Sequence, residues 1–207
     1  MSHYPAASYL TGAYEPRQFC ADSGAEVAFA GRSNAGKSSA INAIVNRRGF
    51  ARTSKSPGRT QLVNFFSLRP EQRLVDLPGY GFARVTRAMQ DHWRTLLGSY
   101  FENRGSLAGL FIIVDIRRGL GDYDAQMLGW ADTLGCPAHV LLTKADKLKR
   151  GAAAATLLAV RKELGATATV QLFSATKLLG IEEARDALEA MLMQHRKPGT
   201  SAGPAAG

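Results

Sequence analysis

The chain lacks the features that mark secreted, metal-stapled or membrane-spanning proteins. Its 207 residues contain two cysteines, Cys20 and Cys136. A pair cannot build a disulfide framework, and neither residue has metal-ligand spacing, so both read as reduced thiols. The histidines His3, His92, His139 and His195 are scattered and form no local motif. No apolar run approaches the roughly 18–20 residues that cross a bilayer. The N-terminal region has no basic segment followed by an apolar one, so no secretory signal is expected. Position 2 is Ser2 rather than glycine, and the chain closes on SAGPAAG without cysteine, so no lipid anchor is expected. A cytoplasmic monomer with no membrane partner is the resulting expectation.

Acidic residues are absent from Ala40 to Pro70, a stretch that holds Arg47, Arg48, Arg52, Lys55, Arg59 and Arg69. Lys147, Lys149 and Arg150 make a second basic cluster, and the whole chain carries a net charge of +9. Such a surface suits nucleic acid, acidic lipid or plain solubility. Hydrophobic residues at 45% and charged residues at 21% are ordinary for a globular protein. The length suits one sizeable domain.

What is present is an alternation of apolar runs and amphipathic stretches. VAFAG (Val27–Gly31) reads as a buried strand, followed by a helix from Lys37 to about Asn46. Gln61–Leu68 and Arg73–Leu77 flank the turn-like RPEQ and predict a hairpin. In Thr86–Asn103, Met89, Trp93, Leu96, Leu97 and Tyr100 recur at helical spacing, a core-facing stripe. Gly109–Asp115 and His139–Lys144 are unalternating apolar strands, as a sheet covered on both faces requires. Helices over Tyr123–Leu134, Ala152–Leu164 and Ile181–Gln194 and a strand over Ala168–Phe173 complete the pattern. The expected fold is α/β, a mostly parallel six-stranded sheet with one antiparallel strand and helices on both faces. Residues 1–22 read as a loosely structured extension, 23–195 as the domain, and 196–207 as a disordered tail.

GRSNAGKS (Gly31–Ser38) matches G-x-x-x-x-G-K-[ST] in full, directly after a strand and opening a helix. Gly31, Arg32, Ser33, Asn34, Ala35 and Gly36 would wrap backbone N–H groups around phosphates. The helix N-terminus adds its positive dipole end. Lys37 supplies a point charge to the β- and γ-phosphates, and the Ser38 hydroxyl can ligate Mg²⁺. In VDLPGYGF, Asp76 followed three residues later by Gly79 is the spacing by which phosphate-cleaving switches hold magnesium and sense a terminal phosphate.

TKAD (Thr143–Asp146) follows an apolar strand and so lies at the ligand-binding edge of an open α/β sheet. Taken alone it could be a loop turn. After a P-loop and DLPG, in that order, it reads as a guanine site. A carboxylate accepts from guanine N1–H and N2–H₂ together, whereas adenine offers no such pair. A site built around such a partner rejects the analogue lacking it by ~10⁴–10⁵. FSATK (Phe173–Lys177) ends another strand, and its small residues let a backbone N–H approach the guanine oxygen.

EVAFAGRSNAGKSS, SPGRTQLVNFF, LVDLPGYGFA, LLTKADKL and FSATK together resemble the EngB (YihA/YsxC) family of bacterial ribosome-biogenesis GTPases, within the translation-factor-related P-loop GTPases. The resemblance runs from about Glu26 to the final helix. It implies a Ras-like single-domain GTPase that assists large ribosomal subunit assembly and is needed for normal division septum formation. It places Ser39 close to the nucleotide, with Gly58, Arg59, Gln61 and Leu62 around Thr60, the first-switch threonine that reaches Mg²⁺. Asp76 would hold magnesium through water, Leu77 and Pro78 would line the site, and the Gly79 N–H would report the γ-phosphate. Lys144 and Asp146 would read guanine between Thr143 and Ala145, with Phe173, Ser174 and Ala175 below the base.

Tyr80 stands where many such switches place a water-orienting glutamine, and it lacks a carboxamide. Slow hydrolysis follows, driven by Lys37 and Thr60 and timed by a partner or ion. Related P-loop families without the glutamine use an asparagine at the position of Asn34 to help bind K⁺. The other reading of Asn34 is a tight-loop stabiliser. Competing functions remain: a P-loop kinase or ATPase needs no TKAD, a membrane-signalling GTPase should carry an anchor, and a division GTPase need not touch the ribosome.

Overall fold

The structure is a computed structural model and describes residues 3–51, 62–81 and 86–195. Its elements are β1 (Ser8–Ala13), β2 (Ala25–Gly31), α1 (Lys37–Val45), β3 (Val63–Arg69), β4 (Gln72–Asp76), α2 (Arg87–Asn103), β5 (Leu107–Asp115), α3 (Asp122–Thr133), β6 (Ala138–Thr143), α4 (Arg150–Leu164), β7 (Thr169–Leu172) and α5 (Ile181–Gln194). The strands form one seven-stranded sheet in the order β1-β3-β4-β2-β5-β6-β7. β3 runs antiparallel to both its neighbours, β1 and β4, and the other pairs are parallel. This is the Ras-like arrangement, with β3 as the antiparallel strand expected from the hairpin.

β2, β5 and β6 are buried along their whole lengths. Successive side chains of a strand point to opposite faces, and here both faces are apolar. Ala28, Ala30, Leu110, Ile112, Val140 and Leu142 pack on one side with Trp93, Leu96, Leu97 and Tyr100 of α2, Met127 of α3 and Val160 of α4. Val27, Phe29, Phe111, Ile113 and Leu141 pack on the other with Ile41 and Ile44 of α1 and Ala184, Leu188 and Leu192 of α5. That is why these strands read as continuous apolar runs rather than alternating ones. Among the described residues, no helix is long and apolar enough to cross a membrane.

The N-terminal segment departs from expectation. Residues 8–13 are an ordered edge strand, so the sheet has one strand more than the sequence pattern predicts. SYLTGA has no burial alternation to betray it, and its pairing with β3 is broken by a bulge between Tyr9 and Thr11. Long-range contacts hold the segment instead. Tyr4 is buried, and its hydroxyl donates to Glu189 of α5 at 2.7 Å. The first switch, Thr53–Thr60, including Gly58, Arg59 and Thr60, lies outside the described residues, as do Arg52, Gln61 and the tail 196–207.

At the end of the sheet away from the P-loop, Glu26 is fully buried. One carboxylate oxygen accepts from Arg73 Nε and from Arg104 Nη2, each at 2.6 Å; the other accepts from Arg104 Nε at 2.8 Å and Tyr100 Oη at 3.2 Å. Arg104 also donates to the Cys20 carbonyl at 2.7 Å, tying the N-terminal segment to the same acid. Removing the negative charge takes the buried counter-charge from two guanidinium groups, which keep only backbone carbonyls and, for Arg104, Asp22 at 3.9 Å. Glu26→Gln should therefore lower unfolding free energy by about 3 kcal/mol, read from the urea midpoint at unchanged denaturant slope.

Candidate nucleotide site

Gly31 ends β2 and Lys37 opens α1, so Arg32–Gly36 is a loop forced to reverse between strand and helix. Gly36 caps α1 at φ 102°, backbone that an L side chain rarely adopts. The first turn of α1 holds no acidic residue, and its N-cap makes no side-chain hydrogen bond. The helix dipole therefore faces the loop with no acidic residue of its own first turn against it. Lys37 points across to Asp76 at the end of β4 and forms an ion pair with it, both side chains being largely buried.

That meeting depends on β4 lying parallel beside β2, with Phe29 opposite Asp76. The pairing continues beyond the strands. Leu77 N donates to Phe29 O at 3.0 Å, Tyr80 N to Gly31 O at 3.4 Å, and Ser33 N to Tyr80 O at 2.8 Å. DLPGY is thus laid along the P-loop, with Gly79 packed against Ser33. Trp93 Nε1 donates to Pro78 O at 3.4 Å, holding the segment from α2.

The Tyr80 side chain turns inward. It is 3% exposed, packs against Trp93 and Tyr123, and its hydroxyl donates to Asp124 Oδ1 at 2.5 Å. Asp124 also accepts from Gly121 N at 2.9 Å, capping α3. Burial and the neighbouring carboxylate push the phenol well above its ordinary pKa, and burial pushes Asp124 up. Tyr80 therefore anchors the DLPGY segment to α3, its hydroxyl turned into the α2–α3 layer.

At the end of β6, the Thr143 hydroxyl reaches the carbonyls of Ala35 and Val114. Lys144 adopts a left-handed backbone and sends Nζ to Asn34 O at 2.6 Å and Asp115 Oδ2 at 2.9 Å. The lysine thus spans from the TKAD loop to the P-loop. Asp115 also takes a two-pronged contact from Arg117, at 2.9 and 2.6 Å. The Arg117 guanidinium and Lys144 hold its carboxyl well below the usual carboxylate range. Asp146 Oδ1 accepts from the fully buried Ser174 hydroxyl at 2.5 Å and from Thr176 at 3.4 Å, and the Ser174 bond leads in lowering its pKa. Ala145 N donates to Phe173 O at 3.1 Å, so TKAD and FSATK are joined.

The structure brings the P-loop, DLPG, TKAD and FSATK to the carboxyl ends of β2, β4, β6 and β7. Asn34, at φ 62°, and Ser39 are exposed at this edge, while Leu62 is half-buried beside Gly12. Sequence reasoning missed Asp115, Arg117 and Thr176. Its one signal was the aspartate ending the apolar run FIIVD. It also missed Asn42, whose carboxamide accepts from Ala51 N at 2.7 Å and donates to Ala51 O at 3.0 Å.

Residues 26–144 match the family described as 50S ribosome-binding GTPase. Over 183 residues the chain is 52% identical to the GTP-binding protein EngB of Stenotrophomonas maltophilia (strain K279a), covering 86% of this chain and 92% of that protein. This chain belongs to the EngB family of P-loop GTPases. It is 51% identical over 190 residues to EngB of Xanthomonas euvesicatoria pv. vesicatoria (strain 85-10), covering 90% of this chain and 92% of that one. A crystal structure of an EngB protein overlays with a TM-score of 0.67 at 20% identity, covering 82% of this chain and 100% of that chain. Era in complex with MgGDPNP and nucleotides 1506–1542 of 16S ribosomal RNA overlays at 0.59 and 16% identity, covering 88% and 60%. At these identities the structural likeness concerns the fold.

The site's chemistry suits magnesium. Asp76 and Ser38 offer hard oxygen donors, and such a site leaves the remaining positions to phosphate and water. No group of three or more His, Cys, Asp or Glu converges among the described residues. If the Tyr80 hydroxyl serves only as an anchor, Tyr80→Phe should cost about 1–3 kcal/mol in urea unfolding, because a buried Asp124 oxygen loses its donor. Single-turnover phosphate release should stay within about twofold of wild type. A turnover loss far beyond that would place the hydroxyl on the reacting water.

Proposed function

We propose that this GTPase hydrolyses GTP slowly and uses its nucleotide state to control docking on the large ribosomal subunit or its precursors, with normal septum formation depending on that step. The observation that carries the slow rate is the inward turn of Tyr80. Phosphoryl transfer needs charge neutralisation and an aligned water more than covalent chemistry. Lys37 and the P-loop amides of Gly31–Ser38 supply charge, and the Gly79 N–H, held over Ser33, reports the γ-phosphate. Asp146 reads guanine, with its carboxylate pre-aimed by Ser174. Lys144 keeps the P-loop and the base loop in one register.

Ser38, Asp76 and the first-switch Thr60 would hold Mg²⁺, which neutralises charge on the β- and γ-phosphate oxygens when bound. Lys37 would serve the phosphates and Asp76 the metal, the two side chains meeting at the end of β4. Asn34 is exposed, and its carbonyl is already occupied by Lys144, leaving its carboxamide as the group that would take K⁺ beside the phosphates. GTP turnover in matched buffers should be several-fold faster in K⁺ than in Na⁺. Equal rates would assign Asn34 to loop geometry alone.

Ribosomal docking draws support from the matched family's description and from the basic rim around the site. Lys147, Lys149, Arg150 and Lys177 are exposed at the nucleotide edge, and Arg52, Lys55 and Arg59 fall in the acid-free stretch from Ala40 to Pro70 of the sequence. Phosphate contacts of this kind are salt-dependent. Sucrose-gradient co-sedimentation with large-subunit precursors should be stronger with a non-hydrolysable GTP analogue than with GDP, and should weaken as salt rises. Indifference to nucleotide would favour a division or signalling GTPase acting away from the ribosome.

A further inference from the structure

His139 is a buried histidine with no part in the proposed chemistry. It stands on β6 with its ring edge-on to Phe111, centroids 5.1 Å apart. Nδ1 lies 2.6 Å from Thr169 Oγ1 and Nε2 lies 2.9 Å from Gln171 Oε1, both partners being on β7. The Gln171 amide nitrogen donates to Gly180 O at 2.7 Å. An amide that donates through nitrogen keeps its oxygen as an acceptor, so Nε2 carries the ring proton and Nδ1 accepts from the Thr169 hydroxyl. Burial keeps the imidazole neutral by lowering its pKa. The result is a directed chain, Thr169 to His139 to Gln171 to Gly180.

Gly180 is where the base loop ends. It caps α5 at φ 72°, and a Cβ there would sit 2.2 Å from Leu172 O and 2.6 Å from Gln171 Nε2. That close approach is what brings its carbonyl within reach of Gln171. The loop it closes starts at Ser174, which exchanges backbone hydrogen bonds with Leu179 at 3.0 Å in each direction. Ser174 in turn holds Asp146. The Gly180 carbonyl also accepts from Ala184 N at 3.2 Å, so α5 keeps its first helical bond without Gln171.

We propose that Gln171, oriented by His139, is a positioning residue for the guanine loop: by holding Gly180 it keeps Ser174 against Asp146 and slows nucleotide release. The role rests on the guanine reading of Asp146. The test follows release of N-methylanthraniloyl-GDP from the full chain with Mg²⁺ by stopped flow, beside steady-state GTP hydrolysis.

Gln171→Met keeps shape and loses the donor. It should speed release roughly fivefold, the worth of one such hydrogen bond, and raise KM while kcat stays within about twofold. Gln171→Glu keeps the acceptor for His139 but not the donor, and should release at least as fast as the methionine variant. His139→Phe should have a smaller effect, because Gln171 still reaches Gly180. The double variant should release no faster than Gln171→Met alone, as residues acting through one contact are not additive. Wild-type release from both Gln171 variants, or an additive double variant, would overturn the role. Asp146→Asn separates the two layers. A shift of preference to xanthosine diphosphate with unchanged release in Gln171→Met removes the positioning role alone, whereas a retained preference for GDP removes the guanine reading and this proposal with it.

Discussion

The nucleotide edge depends on one constraint, the parallel pairing of β4 with β2 and its continuation past the ends of both strands. Backbone hydrogen bonds from Leu77 to Phe29, Tyr80 to Gly31 and Ser33 to Tyr80 carry DLPGY along the P-loop. Without that register, Lys37 and Asp76 would not meet, and Gly79 would not lie over Ser33. Both faces of β2 are packed by helices, so a slip of one residue would move its whole apolar set to the wrong layer. The core therefore enforces the geometry of the site.

Around this line the chain spends side chains on fixing loops rather than on touching a reacting group. Trp93 holds Pro78, Tyr80 holds α3 through Asp124, Asn42 holds Ala51, and Lys144 bridges Asn34 and Asp115. Each bond joins residues on different elements. Their common effect is to place backbone groups, and backbone groups are what phosphate recognition uses. A tyrosine in the glutamine position fits this scheme. Its aromatic body fills the α2–α3 layer and its hydroxyl finds a partner there, whereas a glutamine would leave that volume empty.

Much of this was legible in the chain as written. A strand followed by GRSNAGKS and a helix, an aspartate and glycine at DLPG spacing, and TKAD after an apolar strand carry their chemistry in local order. The strands β2, β5 and β6 announced themselves by unbroken apolar runs. β1 did not, because its burial does not alternate and its pairing is bulged, and the segment just before it is held through Tyr4 by a partner as distant as Glu189. Asp115 at the end of an apolar strand and Asp124 in a helix look like ordinary acids until the fold brings Lys144 and Tyr80 to them.

The sequence by itself marked out the P-loop, DLPG and TKAD as the candidate nucleotide site, because each of these motifs is built from residues close together in the chain. It determined the fold class too, since strand and helix periods are local. Only the tertiary structure decided where Tyr80 points, which lysine joins the two loops, and that the N-terminal residues complete the sheet. Those outcomes are contacts between segments far apart in the chain, chosen by which buried polar group finds a partner once the core has closed.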